Sequence, residues 1–211
     1  MHEDLDDQNI LKFKNIGRNR HPIRFLDASK VYEKVDLSNV STRWPKILFA
    51  RLFITEIIKD YHKIIVSDVD VLFKKDLSSF YEKDISNYHY GLVAAEKRIQ
   101  NIKGHDRYGF YKNKFIFYSG LVIYNKKKMD KDKICNRFIN SIKQLKNRLG
   151  YDLTDLILLN KCSRRIYRIP FNYCVLESII LKGNIKSIPE YGWLSQLYKD
   201  SELKNFKKNP S

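Results

Sequence analysis

The chain has 211 residues and a formal net charge of +16, from 40 Lys and Arg against 24 Asp and Glu. A hydrophobic fraction of 43%, with 14 Tyr and 12 Phe, is enough to bury the core of a single domain and excludes a disordered polyelectrolyte. No apolar run reaches the ~20 residues that a membrane-spanning helix needs, and the acidic start Glu3-Asp4-Leu5-Asp6-Asp7 is unlike a secretory signal. The basic charge draws anions, including lipid headgroups and phosphorylated substrates. The lysines are nevertheless scattered, and the runs Lys126-Lys127-Lys128 and Lys207-Lys208 lack the interleaved aromatics that single-strand nucleic-acid binders use. Cys135, Cys162 and Cys174 have no CxxC spacing, so they read as small buried hydrophobes in a reducing, cytoplasmic setting.

In chain order, Leu5 to Asn15 suits a short exposed helix, and Pro22 to Leu26 a brief strand. Ser41 or Thr42 could cap a helix with Pro45 in its first turn, whose face carries Ile47, Leu48, Leu52, Ile54 and Ile58. Lys63-Ile64-Ile65-Val66-Ser67 is a continuous β-branched run, the pattern of a central parallel strand covered on both faces. It ends in Asp68-Val69-Asp70 and resumes as Val71-Leu72-Phe73. Tyr90 to Ala95 reads as a strand, Glu96 to Lys114 as a mobile loop, and Leu121 to Tyr124 as a strand after Tyr118-Ser119-Gly120. A helix is predicted over Lys131 to Leu149, with Ile134, Phe138, Ile142 and Leu145 inward and Gly150 as its stop. A short helix from Thr154 to Asn160 precedes a strand from Arg165 to Pro170. Strands alternating with helices imply an α/β sheet with some parallel pairing.

Two carboxylates at i and i+2, placed where a buried strand gives way to a turn, can both reach the crevice beyond the strand's carboxyl end. Aspartate oxygens suit a hard cation such as Mg²⁺ or Mn²⁺, which can neutralise a departing diphosphate. The alternative is a plain turn, where Asp is also favoured.

The block Arg51-Leu52-Phe53-Ile54, Lys63 to Leu72 and Asp76-Leu77 resembles the centre of family 8 glycosyltransferases, which include glycogenin-like and bacterial lipopolysaccharide galactosyl- and glucosyltransferases. Two later pieces are similar in order. Phe117 to Asn125 matches an F-N-[AS]-G-V-x-x-x-N stretch; Thr154 to Asn160, followed by Tyr167 to Tyr173, matches a D-Q-D-x-L-N helix start and the L-P-x-x-[YF]-N after it. The resemblance implies an α/β GT-A fold: a Rossmann-like mixed sheet flanked by helices, in a single domain over 1–211. It also implies a UDP-linked hexose donor, a saccharide or glycolipid acceptor, Mn²⁺ or Mg²⁺, and retention of anomeric configuration.

By the same resemblance Asp68 and Asp70 carry over as metal ligands, with Val69 and Asp70 beside the ribose. Arg51 would hold a donor hydroxyl or phosphate, Ser119 and Gly120 would line the sugar pocket, and Asp155 would sit beside the reacting carbon. Plainer readings stand next to these: a surface arginine, a turn before a strand, and a helix-capping carboxylate. Tyr118 replaces the family's Asn, and Leu156 and Ile157 replace its Gln and second Asp. The family's first βα unit and its H-x-x-G-x-x-K-P-W motif have no counterpart, so the chain reads as truncated at both ends. None of His2, His21, His62, His89 or His105 stands in a matching context, and each is read as a surface or core-edge histidine. The rival readings are an inactive GT-A remnant or binding module, a Mg²⁺ phosphatase (which wants its D-x-D after a first strand), and a basic nucleic-acid-binding domain.

Overall fold

The computed structural model describes residues 5–16, 23–40, 45–71, 73, 75–98, 115–146, 153–170 and 173. Helix α1 (Asp7–Ile16) begins where the Asn9 backbone N–H donates to Asp6 Oδ1 at 2.7 Å, an acceptor for one of the free amides of a helix start. It is the short surface helix predicted from the sequence; Leu11 and Phe13 stay exposed. The strand predicted over Pro22–Leu26 does not form: residues 23–26 are irregular, and Pro22 lies outside the described residues. So short a segment holds strand geometry only beside a partner strand. One turn of helix, α2 (Ser29–Tyr32), follows.

The next helix starts later than Ser41 or Thr42 would place it, with residues 41–44 outside the described set. Three short pieces succeed one another: α3 (Ile47–Ala50), a 3₁₀ turn (Arg51–Phe53) and α4 (Ile54–Ile57). Every residue from Phe49 to Thr55 is buried, so the segment is wrapped on all sides rather than packed by one face. That wrapping carries the charged Arg51 inside.

Four strands form the sheet of the described residues: β1 (Lys63–Ser67), β2 (Tyr90–Arg98), β3 (Phe115–Asn125) and β4 (Ile166–Ile169), in the order β1-β3-β2-β4. Strand β3 runs antiparallel to β1 and β2, while β2 and β4 are parallel. Strand β1 was expected to be central and parallel; among the described residues it is an edge strand with one antiparallel neighbour. A β-branched run reports burial of two faces, not the direction of the neighbour. Both faces are in fact used, since Ile64 and Val66 pack into one core and Ile65 into the other.

Strand β1 ends at Ser67. Val71 and Phe73 are not in a strand, contrary to the expected resumption, and Leu72 lies outside the described residues. Strand β2 takes in Glu96–Arg98 from the expected loop, the rest of which (99–114) is outside the described residues. Strand β3 begins at Phe115, so Ser119-Gly120 sits inside a strand and not in a turn before one.

Helix α5 (Ser78–Tyr81) brings Phe80 onto one sheet face, against Val93, Leu121, Ile123 and Ile169. The helix predicted over Lys131–Leu149 forms as α7 (Ile134–Leu145), and a separate helix, α6 (Lys126–Lys131), precedes it; Lys133, whose φ of 52° breaks helical geometry, stands between them. Gly150 lies outside the described residues. Ile134, Phe138, Ile142 and Leu145 are buried against the other sheet face together with α8 (Asp155–Cys162), as their spacing predicts. Cys135 and Cys162 are buried and free, and burial pushes the Cys135 thiol up to about 12, as befits a small hydrophobe. Cys174 lies outside the described residues.

The sheet is tight at Gly91. A Cβ there would stand 2.8 Å from Ile123 Cγ2 and 3.3 Å from Ile169, on neighbouring strands. Gly91→Ala is therefore expected to destabilise the fold by about 1–3 kcal/mol through overpacking, read as a lowered midpoint of thermal unfolding.

Candidate functional site

The site is built at the carboxyl end of β1. Beyond Ser67 the ladder continues by one bond, the Asp68 N–H donating to the Gly120 carbonyl at 2.9 Å, and then the chain turns outward. Asp68 is half-buried, whereas Val69 and Asp70 are exposed on the turn. Opposite them, the pairing of β2 with β3 jumps from Leu92↔Val122 to Val93↔Tyr118. The jump leaves Ser119, Gly120 and Leu121 without partners on β2, and such bulges re-aim backbone groups. Here the carbonyls of Ser119 and Gly120 turn to Arg51 and Asp68.

Arg51 is the hub. Its Nη1 donates to Asp68 Oδ1 and its Nη2 to the Ser119 carbonyl, and Nη1 also lies 3.5 Å from Asp155 Oδ2. The side chain is 6% exposed, so it is not the surface helix arginine that its sequence context also allowed. Burial opposes its charge, but Asp155, Tyr124 and Asp68 outweigh that, and the guanidinium pKa lies above its ordinary value.

Asp155 opens α8 without capping it. Thr154 takes the cap, its hydroxyl accepting from the Ile157 N–H at 3.3 Å, which frees the aspartate to turn inward. It is 2% exposed. Burial pushes its carboxyl up to about 6, with Asp68 adding to the rise, against the pull of Arg51, the Leu156 N–H and the Ser119 hydroxyl. A buried carboxyl whose pKa is pushed toward neutrality beside a buried arginine is the perturbed group expected of a reaction centre.

Tyr124 escaped the sequence reading. It is fully buried beside Arg51 and Asp155, and burial drives its phenol pKa well up. Its only sequence signal is the alternation that puts Val122 and Tyr124 on one face of β3. Arg51 Nε, Tyr124 Oη and Asp155 Oδ2 are all buried without a hydrogen-bond partner among the described residues, a concentration of unmet polarity usual at a functional site.

Of the residues singled out by sequence, the structure brings Arg51, Asp68, Ser119 and Asp155 into one cluster. It places Gly120 in the adjoining ladder and leaves Val69 and Asp70 on the open turn. Asp68 and Asp70 offer carboxylate oxygens, the donor chemistry that a divalent cation takes. Among the described residues no three His, Cys, Asp or Glu gather as a metal site, so the two aspartates would share a cation with ligand and water oxygens.

The family model for Glycosyl transferase family 8 matches residues 1–210. This chain belongs to that family. The family 8 chain is thus a glycosyltransferase by descent, and its mixed sheet with flanking helices is the GT-A fold. Galactosyltransferase LgtC, solved with donor and acceptor sugar analogues, is similar at a TM-score of 0.67 and 19% identity over 90% of this chain and 68% of that one. The bifunctional glycosyltransferase WbbM is similar at 0.65 and 17% identity, over 81% of this chain and 32% of that one. Mouse xyloside xylosyltransferase 1 follows at 0.55 and 13% identity, over 79% of this chain and 70% of that one. No curated protein matches the sequence. No helix among the described residues is long and apolar enough to cross a membrane.

Proposed function

We propose that this family 8 chain transfers a hexose, glucose or galactose, from a UDP-linked donor to a saccharide or glycolipid acceptor with retention of configuration. It does so as a single domain on the cytoplasmic side, where its basic surface can rest against anionic lipid. The observation that carries the reading is Arg51, a buried cation that joins the Asp68 turn, the Ser119 carbonyl and Asp155 at the carboxyl end of β1.

In this reading the diphosphate lies over the Asp68–Asp70 turn, with the ribose beside Val69 and Asp70. Bound Mn²⁺ or Mg²⁺ would supply charge neutralisation for the leaving diphosphate, with Asp68 and Asp70 as its protein ligands. Arg51 orients Asp68 toward that place and offers its charge to the donor. Ser119 and Gly120 form the wall of the sugar pocket. Asp155, once ionised, faces the anomeric carbon and stabilises the positive charge that develops there as its bond to the diphosphate oxygen breaks, the acceptor oxygen bonds in its place and the acceptor's proton passes to the departing diphosphate.

Tyr118 and Leu156 stand where the family carries amide side chains. Tyr118 packs with the core of the second sheet face. Neither offers an amide to a sugar hydroxyl, so the choice of hexose is set differently from the family pattern. The same substitutions favour the rival reading of an inert remnant. The retained Arg51–Asp155 pair favours an enzyme, since a buried charged pair costs stability that a binding scaffold does not need.

UDP release from UDP-glucose and UDP-galactose in the presence of Mn²⁺ tests the proposal. Asp68→Ala and Asp70→Ala should each abolish metal-dependent release, while circular dichroism and the unfolding midpoint show the fold retained. Undiminished release in either variant would remove the metal assignment; no release from the parent chain would leave the remnant reading in place.

A further inference from the structure

A polar cavity lies at the opposite end of the sheet from the Arg51–Asp155 cluster. Strands β2 and β4 are parallel and start together, Tyr90 opposite Ile166, and the residues just before them, His89 and Arg165, look into a cavity of about 290 Å³. Asp132 from the α6–α7 junction, Arg137 from the first turn of α7, and Lys161 and Arg164 from the end of α8 complete its wall. Helix α8 therefore presents Asp155 to the candidate active site and its other end to this cavity, about 10 Å further along its axis.

The floor is hydrogen-bonded at both nitrogens of His89. His89 is buried at the edge of the core, one of the two places read from sequence, whereas His62 is exposed and His2, His21 and His105 lie outside the described residues. Its Nε2 lies 2.7 Å from Asp132 Oδ2 and its Nδ1 2.7 Å from Ser163 Oγ. A carboxylate can only accept, so Nε2 carries the proton and the Ser163 hydroxyl donates to Nδ1. Ser163 Oγ also accepts from the Arg165 N–H at 2.8 Å. Burial lowers the His89 pKa, with Arg137 and Lys128 acting in the same direction and Asp132 against it, so the ring is neutral at pH 7.

The rim is cationic. Asp132, the one carboxylate in the wall, is already engaged by His89, by Lys128 Nζ at 3.2 Å and by Arg165 Nη1 at 3.6 Å. Arg137 and Arg164 have no ion-pair partner among the described residues. Four basic side chains thus surround a small polar hollow with one carboxylate, which is itself neutralised. The volume is at the lower limit for a ligand pocket and suits a charged group rather than a whole nucleotide sugar. Arginine forks from several directions match a tetrahedral dianion.

We propose that this cavity binds a phosphoryl group, separately from the sugar-nucleotide site. Such a group is carried by soluble phosphate esters and by phospholipid headgroups alike, and the test distinguishes the two.

Inorganic phosphate is titrated into the full chain while the His89 ring proton resonance is followed by NMR. A dianion beside the ring favours the imidazolium, so bound phosphate should shift this resonance saturably and raise the pH at which it titrates. Arg137→Ala and Arg164→Ala, both at exposed positions, should each weaken the apparent affinity by about tenfold or more, the worth of a hydrogen bond to a charged group. Asp70→Ala, at the sugar-nucleotide site, should leave the shift unchanged. An unmoved His89 resonance, affinity in the two variants equal to that of the parent chain, or loss of the shift in Asp70→Ala would overturn the proposal. Sedimentation with phosphatidic acid vesicles but not phosphatidylcholine vesicles, reversed by free phosphate and lost in the variants, identifies a lipid source. Retained phosphate binding without sedimentation identifies a soluble one.

Discussion

Arg51→Met is expected to abolish sugar transfer and to destabilise the fold by about 3–5 kcal/mol, the usual cost of leaving a buried ion without its partner. Methionine matches the length of the arginine stem, so lost packing contributes little. What remains is Asp155, 2% exposed, facing no cation, and a Ser119 carbonyl without its donor. In a chain of this size such a loss lowers the unfolding midpoint by about 10 °C. Arg51→Lys keeps the charge but not the planar fork that reaches Asp68 and Ser119 together, so it should recover part of the stability and little of the activity. Adding Asp155→Asn to Arg51→Met should restore stability, because the stranded charge is then gone. The four midpoints of that double-mutant cycle measure the coupling directly, and strict additivity would mean that the two residues do not act as a pair.

Asp155→Asn alone is expected to lower turnover by about 10²–10³, the effect of removing one preorganised electrostatic group from a transition state, while the unfolding midpoint at neutral pH is held or raised. The two halves of this expectation have opposite signs in pH. Transfer needs the ionised carboxylate, so the activity of the parent chain should fall as pH drops through about 6, where Asp155 titrates. Stability moves the other way. The folded-state pKa lies above the ordinary value of 3.8, so between roughly pH 4 and 6 the folded chain holds more protons than the unfolded one. The contribution of this group is fully present below that window and is lost as pH rises through about 6. The Asn variant should lack both the activity limb and the stability slope. An activity limb that persists in the variant would assign it to another group.

These expectations rest on contacts of unequal visibility. The strand Lys63–Ser67 ending in two aspartates, and the short helix with Asp155 at its start, are local patterns whose physics acts within a few residues, and both appear in the structure; that Thr154 and not Asp155 caps the helix did not show in the sequence. The inward face of α7 was legible for the same reason, since a repeat of three and four residues is all that a helix needs to bury one side. The edge position of β1 was not legible, because strand direction is set by which partner arrives. Nor was α6, which Lys133, with its positive φ, separates from α7.

By itself the sequence determined the four strands, the helices α7 and α8, the family and the identities of the acidic groups beside β1 and α8, all of which depend on neighbours along the chain. Only the tertiary structure decided that Arg51 is buried, that a register jump in β3 turns the Ser119 carbonyl toward it, and that His89, Asp132 and Ser163 meet at the far end of the sheet. Those outcomes are set by desolvation and by pairing between residues as much as 104 positions apart, from Arg51 to Asp155. Hydrophobic periodicity carries no information on where a charge finds its partner; that is settled when the helices close over the sheet and each buried charge must be met by another.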